Sequence, residues 1–114
     1  MYIYMRVRLI AKQTIEDYCE GNSQSKKPFA LWLTAIKFAD WSSPEGIQST
    51  FGTADLLGNG SNRVVFNIGS NKCRMIGKYH FGETLVHLFI CWIGTHAEYD
   101  KLCDGNKQYT VSVY

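Results

Sequence analysis

A chain of 114 residues with 46% hydrophobic, 14% aromatic and 19% charged residues has the composition of a folded protein, which excludes a disordered tail. The formal charge of +2 is too small to point to a nucleic-acid partner by itself, so the placement of the twelve Lys and Arg residues matters more than their sum. The longest apolar run, "LVHLFICWIG", is about half the ~20 residues a membrane-spanning helix needs and contains His87, which makes it a buried strand.

In chain order, "YIYMRVRLI" has the alternating, β-branched character of a strand, and Thr14 can cap "IEDYCE" as a helical turn. From Pro28, "PFALWLTAIKFADW" places Phe29, Trp32, Leu33 and Ile36 on one face of a second helix. Ser43 and Pro44 open a short third helix, and "LLGNGSN" is a glycine and asparagine loop. The periodicity then becomes extended: "NRVVFNI", "KCRMIGKYH" and "TLVHLFICWI" read as an antiparallel meander joined by "GSN" and "FGE". "THAEYDKL" follows as a C-terminal helix, and "YTVSVY" has the pattern of an edge strand. The expected fold class is α+β: a small antiparallel sheet, made of the N-terminal strand and the three-stranded meander, covered by N-terminal helices and followed by the short last helix. Residues 1–114 form one expected domain, with a tail at 103–114. Met5 offers a second start that would make residues 1–4 an extension.

A two-residue turn at Gly69 and Ser70 predicts that Ile68 faces Asn71, Phe66 faces Cys73 and Val64 faces Met75 on an apolar face. The opposite face then carries Arg63, Asn67, Lys72, Arg74 and Lys78; a wider even-numbered loop keeps the same sidedness. A solvated sheet face carries such residues without any partner. Here, however, the segment from Asn62 to Phe81 holds four Lys or Arg and no acid, a distribution that attracts phosphates. Phe66 and Tyr79 point to the core side by parity and offer no stacking platform. Thr95 and Glu98 have the spacing of a capping box, while His96 and Tyr99 lie three apart on one face of the last helix, either as solvated and packing residues or as an acid/base pair.

The segments "RVVFNIGSNKCRMI" and "FICWIGTHAEYDK", behind a first half ending "IKFADWSSPEGIQSTF", resemble the HigB-like toxins of type II toxin–antitoxin systems, a branch of the RelE-like ribonuclease group. The likeness runs from about Met5 to Leu102. It implies a RelE-like fold and an mRNA endoribonuclease, working on the translating ribosome and neutralised by a HigA-like helix-turn-helix antitoxin. It also implies cleavage through the RNA's own 2′-hydroxyl with neither cofactor nor metal. Arg74 matches the arginine after the hairpin and is expected to stabilise the transition-state charge, with Lys72 beside it and His96 or Tyr99 as the acid/base group. Arg63, Asn67 and Lys78 are the expected RNA contacts. The other reading is a non-catalytic RNA- or protein-binding module on the same basic face. Widely spaced cysteines without a C-x-x-C pair, and a start without signal-peptide order, point to a reducing cytoplasm with core thiols rather than a zinc site.

Overall fold

The structure, a computed structural model, describes residues 4–69 and 72–114. Five strands form a sheet in the order β1-β5-β4-β3-β2: β1 is Arg6–Ile10, β2 Asp55–Leu56, β3 Arg63–Ile68, β4 Cys73–Phe81 and β5 Leu85–Thr95. Helices α1 (Gln13–Gly21), α2 (Lys26–Lys37) and α3 (Glu45–Thr50) precede the meander, and α4 (His96–Asp104) follows it. The α+β class is as expected, but the sheet is mixed rather than antiparallel because β1 runs parallel to β5. None of the helices among the described residues is long and apolar enough to cross a membrane.

The first sheet face carries the main core. Val64, Phe66, Ile68, Met75, Val86 and Leu88 meet Phe29, Trp32 and Ile36 of α2. Phe66, Trp32 and Phe51 pack as an aromatic cluster, with edge-to-face contacts of 5.1 and 5.2 Å between ring centroids. Fully buried Trp41 donates its indole N–H to Thr50 Oγ1 at 2.9 Å and so ties the chain after α2 to α3. The start of β1 is stitched to the same region, with Met5 N–H donating to Asp40 Oδ1 at 2.8 Å.

Several local expectations shift. Helix α1 starts before Thr14, with Lys12 in the cap position, and α2 begins two residues ahead of Pro28. Pro44 takes the cap position of α3, and the short strand β2 occupies part of the expected loop. The hairpin register differs by two residues: Ile68 pairs with Cys73, Phe66 with Met75 and Asn67 with Arg74. A two-residue slip preserves which side chains share a face, so the expected sidedness holds. Ser70 and Asn71 of the proposed turn, and residues 1–3 of the first strand and N-terminal extension, lie outside the described residues.

The second face is not simply solvated. Val65, Ile76 and Cys91 form a small second core covered by Tyr99 and Leu102 of α4 and by Val111. A β-bulge helps build it: Ile76 pairs with Trp92 and Gly77 with Ile90, which leaves Cys91 without a ladder partner and brings Cys91 and Trp92 to the same face. The segment after α4 is not a further strand. A short 3-10 turn at Lys107–Tyr109 leads into irregular chain, whose Val113 N–H bonds to the Cys91 carbonyl at 2.9 Å along the edge of β5 that β1 leaves open beyond Ile10.

Candidate functional site

The last helix is placed by its own first turn. Thr95 Oγ1 accepts from the Glu98 N–H at 3.2 Å, and Glu98 Oε1 accepts from the Thr95 N–H at 2.8 Å, the reciprocal capping box expected from the spacing. Thr95→Ala is expected to cost about 1 kcal/mol of stability, read as a lower thermal midpoint, because one orphan N–H loses its acceptor.

Directly before the cap, Gly94 pairs with Arg74 on the second face. A Cβ at Gly94 would meet the Trp92 ring at 2.5 Å, so only glycine lets that indole lie beside Arg74. The Trp92 and Tyr99 rings stand 6.1 Å apart. Arg74 therefore sits among Trp92, Tyr99 and Asn67, its partner across β3. Its guanidinium Nη1 is buried and has no hydrogen-bond partner among the described residues. Leaving a charged donor uncompensated costs stability, by about 1–3 kcal/mol or more, unless another group satisfies it.

Burial pushes the Tyr99 phenol well above the usual tyrosine range; the Cys103 thiol and the Asp55 carboxylate act in the same direction, and Arg74 opposes them. Tyr99 is thus a neutral proton donor at physiological pH. His96, at the first position of α4, keeps its Nδ1 3.2 Å from Asp100 Oδ2, and both side chains are about half exposed. A carboxylate on one ring nitrogen leaves the other available to a ligand.

The remaining sequence candidates separate. Asn67 and the exposed Lys72 line a groove of about 570 Å³ against α2, where Lys27, Leu31 and Trp32 form the other wall. Lys78 is exposed but lies four positions along β4 from Arg74. Arg63 requires a correction. Expected as an RNA contact, it is 6% exposed, and its Nη1 donates to the carbonyls of Val111 at 2.6 Å and Gln108 at 3.2 Å. It holds the C-terminal segment onto the sheet, an engagement that strand parity alone does not reveal. Sequence reasoning also missed Trp92, which strict alternation would turn away from Arg74; only the bulge brings it round.

Three of the cysteines are buried, Cys19, Cys73 and Cys91, and burial raises each thiol above its ordinary range.

Comparison with known proteins bears on this arrangement. A family model described as HigB_toxin, the RelE-like toxic component of a toxin-antitoxin system, matches residues 25–102. The mRNA interferase HigB of Escherichia coli O6:H1 is 34% identical over 96 residues, which span 84% of this chain and 91% of that protein. The family match ends within α4, before the segment that Arg63 secures.

Proposed function

Because the chain belongs to the HigB toxin family, the RelE-like toxic component of toxin–antitoxin systems, we propose that it is an mRNA endoribonuclease whose reaction centre is Arg74. The observation that carries this reading is the buried guanidinium nitrogen of Arg74, without a partner among the described residues and close enough to the protonated Tyr99 phenol to act on its charge. A phosphodiester supplies the acceptor oxygens that such a guanidinium lacks.

In this mechanism the free nitrogen of His96 takes the proton of the RNA's 2′-hydroxyl as that oxygen attacks the adjacent phosphorus. Arg74 neutralises the charge that builds on the phosphorane oxygens, with Lys72 reaching from the hairpin turn. The bond from phosphorus to the 5′-oxygen breaks, and Tyr99 gives that oxygen its proton. The products are a 2′,3′-cyclic phosphate and a 5′-hydroxyl. Asn67 and Lys78 hold flanking backbone. Arg63 leaves the list of RNA contacts because it is buried and its Nη1 is engaged by two carbonyls within the chain.

Tyr99→Phe keeps the packing against Trp92 and removes the donor. Cleavage is expected to slow by about 10²–10⁴-fold, while RNA affinity stays the same. The wild-type rate is also expected to show no loss of the acid as pH rises through about 10, the ordinary phenol range, because burial holds the Tyr99 proton. An affinity loss equal to the rate loss would place Tyr99 in binding instead.

The reading extends to mRNA presented on the ribosome and to a HigA-like helix-turn-helix antitoxin as inhibitor. The deciding experiment is controlled expression of wild type and Arg74→Ala with mapping of new RNA 5′ ends, followed by purified protein on naked mRNA and on translating ribosomes. New 5′-hydroxyl ends with wild type only support the nuclease, and cleavage confined to ribosomes supports the presentation step. Growth arrest without new ends would replace the nuclease by a binding module.

A further inference from the structure

The half of the second face beyond Arg63 carries a separate arrangement. Parallel pairing sets Arg8 beside His87, and antiparallel pairing sets His87 beside His80, so these side chains form one row across three strands, with the two imidazoles 6.3 Å apart. The next row is Ile10, Phe89 and Lys78. Phe89 is 42% exposed, an unusual position for a large aromatic at the centre of a sheet face. Beside it, a hollow of about 620 Å³ opens between the sheet and the C-terminal segment, edged by Phe89, Lys78, Ser112 and Tyr114, the last 53% exposed.

The strand positions of this half carry no acid. Glu83 lies in the turn beyond the His80–His87 row, and the Asp40 carboxylate at the sheet margin already accepts from Met5 N–H. Among the described residues, the ion pairs found lie elsewhere, at Lys12–Glu16 and His96–Asp100.

Cations interleaved with exposed aromatic rings on a sheet suit single-stranded RNA, whose phosphates meet the charges while its bases stack on the rings. An acidic protein segment would satisfy the charges but gives no reason for an open, ring-edged hollow of this size. We propose that this surface, centred on Arg8 and Phe89, is a second RNA subsite that holds substrate flanking the cleavage point, with one base in the hollow. The proposal rests on the nuclease reading for the identity of the substrate. Lys78 stands four residues from Arg74 on the same strand face, a separation of about 13 Å, and His80 about 20 Å, so one strand of RNA can engage both regions. The patch differs from the region around Arg74 in kind: it binds and does no chemistry.

The test is binding of a 2′-O-methylated single-stranded RNA about 10 nucleotides long, which cannot be cleaved and matches the length such sheet platforms cover. Wild type is compared with Arg8→Gln, Phe89→Ala and the double variant, each checked for an unchanged far-UV spectrum and melting point. Lys12→Gln serves as a control that removes one charge outside the sheet face. The double variant is expected to bind at least tenfold more weakly, and Arg8→Gln to reduce the slope of log affinity against log salt by about 0.7 for one lost phosphate contact. Lys12→Gln is expected to bind as wild type does. Equal affinity of wild type and double variant, or equal losses in Arg8→Gln and Lys12→Gln, overturns the proposal. Cleavage of unmodified mRNA by wild type is scored separately, both free and on translating ribosomes: its absence in both rejects the nuclease reading, whereas normal cleavage with unchanged binding of the variants rejects only the subsite.

Discussion

Arg74→Ala is expected to lower mRNA cleavage by about 10²–10³-fold, the cost of removing one preorganised donor from a site of developing negative charge. The protein should nevertheless fold, and become slightly more stable, because the substitution removes a half-buried guanidinium whose Nη1 has no partner among the described residues. That opposition of signs distinguishes a functional arginine from a structural one. Arg74→Lys retains the charge without the planar fork and should recover only part of the rate. Single-turnover cleavage of a defined mRNA, together with urea denaturation of the same samples, reads both effects. A large loss of stability in Arg74→Ala would mean that the side chain supports the sheet, and the assignment of the reaction centre would fail.

Arg63 should behave in the reverse way. Its guanidinium is buried and donates to two carbonyls of the C-terminal segment. Arg63→Met keeps much of the stem packing and leaves those carbonyls without their donor, at an expected cost of about 2–4 kcal/mol. The loss should concentrate in the segment after α4, where Val111 leaves the second core and the Val113–Cys91 bond opens. Limited proteolysis should therefore cut the variant near residues 105–114 before the rest of the chain, while wild type resists. Equal protection in both proteins would show that the segment is held by its apolar contacts alone.

These two arginines also mark what strand parity can and cannot convey. Alternation placed Arg63 and Arg74 on the same face, and the structure agrees. Parity is a local property of a strand, so it survived the two-residue error in hairpin register. It does not report what covers a side chain. The segment that buries Arg63 comes 45 residues later in the chain and forms no strand, so no periodic signal tied the two together. The capping box at Thr95 and Glu98 was legible because every atom involved lies within four consecutive residues. The parallel pairing of β1 with β5 was not, since it joins segments almost at opposite ends of the chain. The bulge at Cys91 escaped for a different reason. An added residue in an apolar run leaves the run looking uniform, yet it sets which way Trp92 points and hence what flanks Arg74.

The clamp on the C-terminal segment has a consequence for the order in which the protein becomes competent. Synthesis delivers β3, and Arg63 with it, well before Gln108 and Val111, at about 5–20 residues per second. Until those carbonyls leave the exit tunnel, the arginine has no internal acceptors and the second core lacks Val111. The core on the helical side has all its strand residues once Ile93 is made, whereas the side that bears Arg74 still waits for Val111. The face that bears Arg74 is thus the last part of the molecule to be completed.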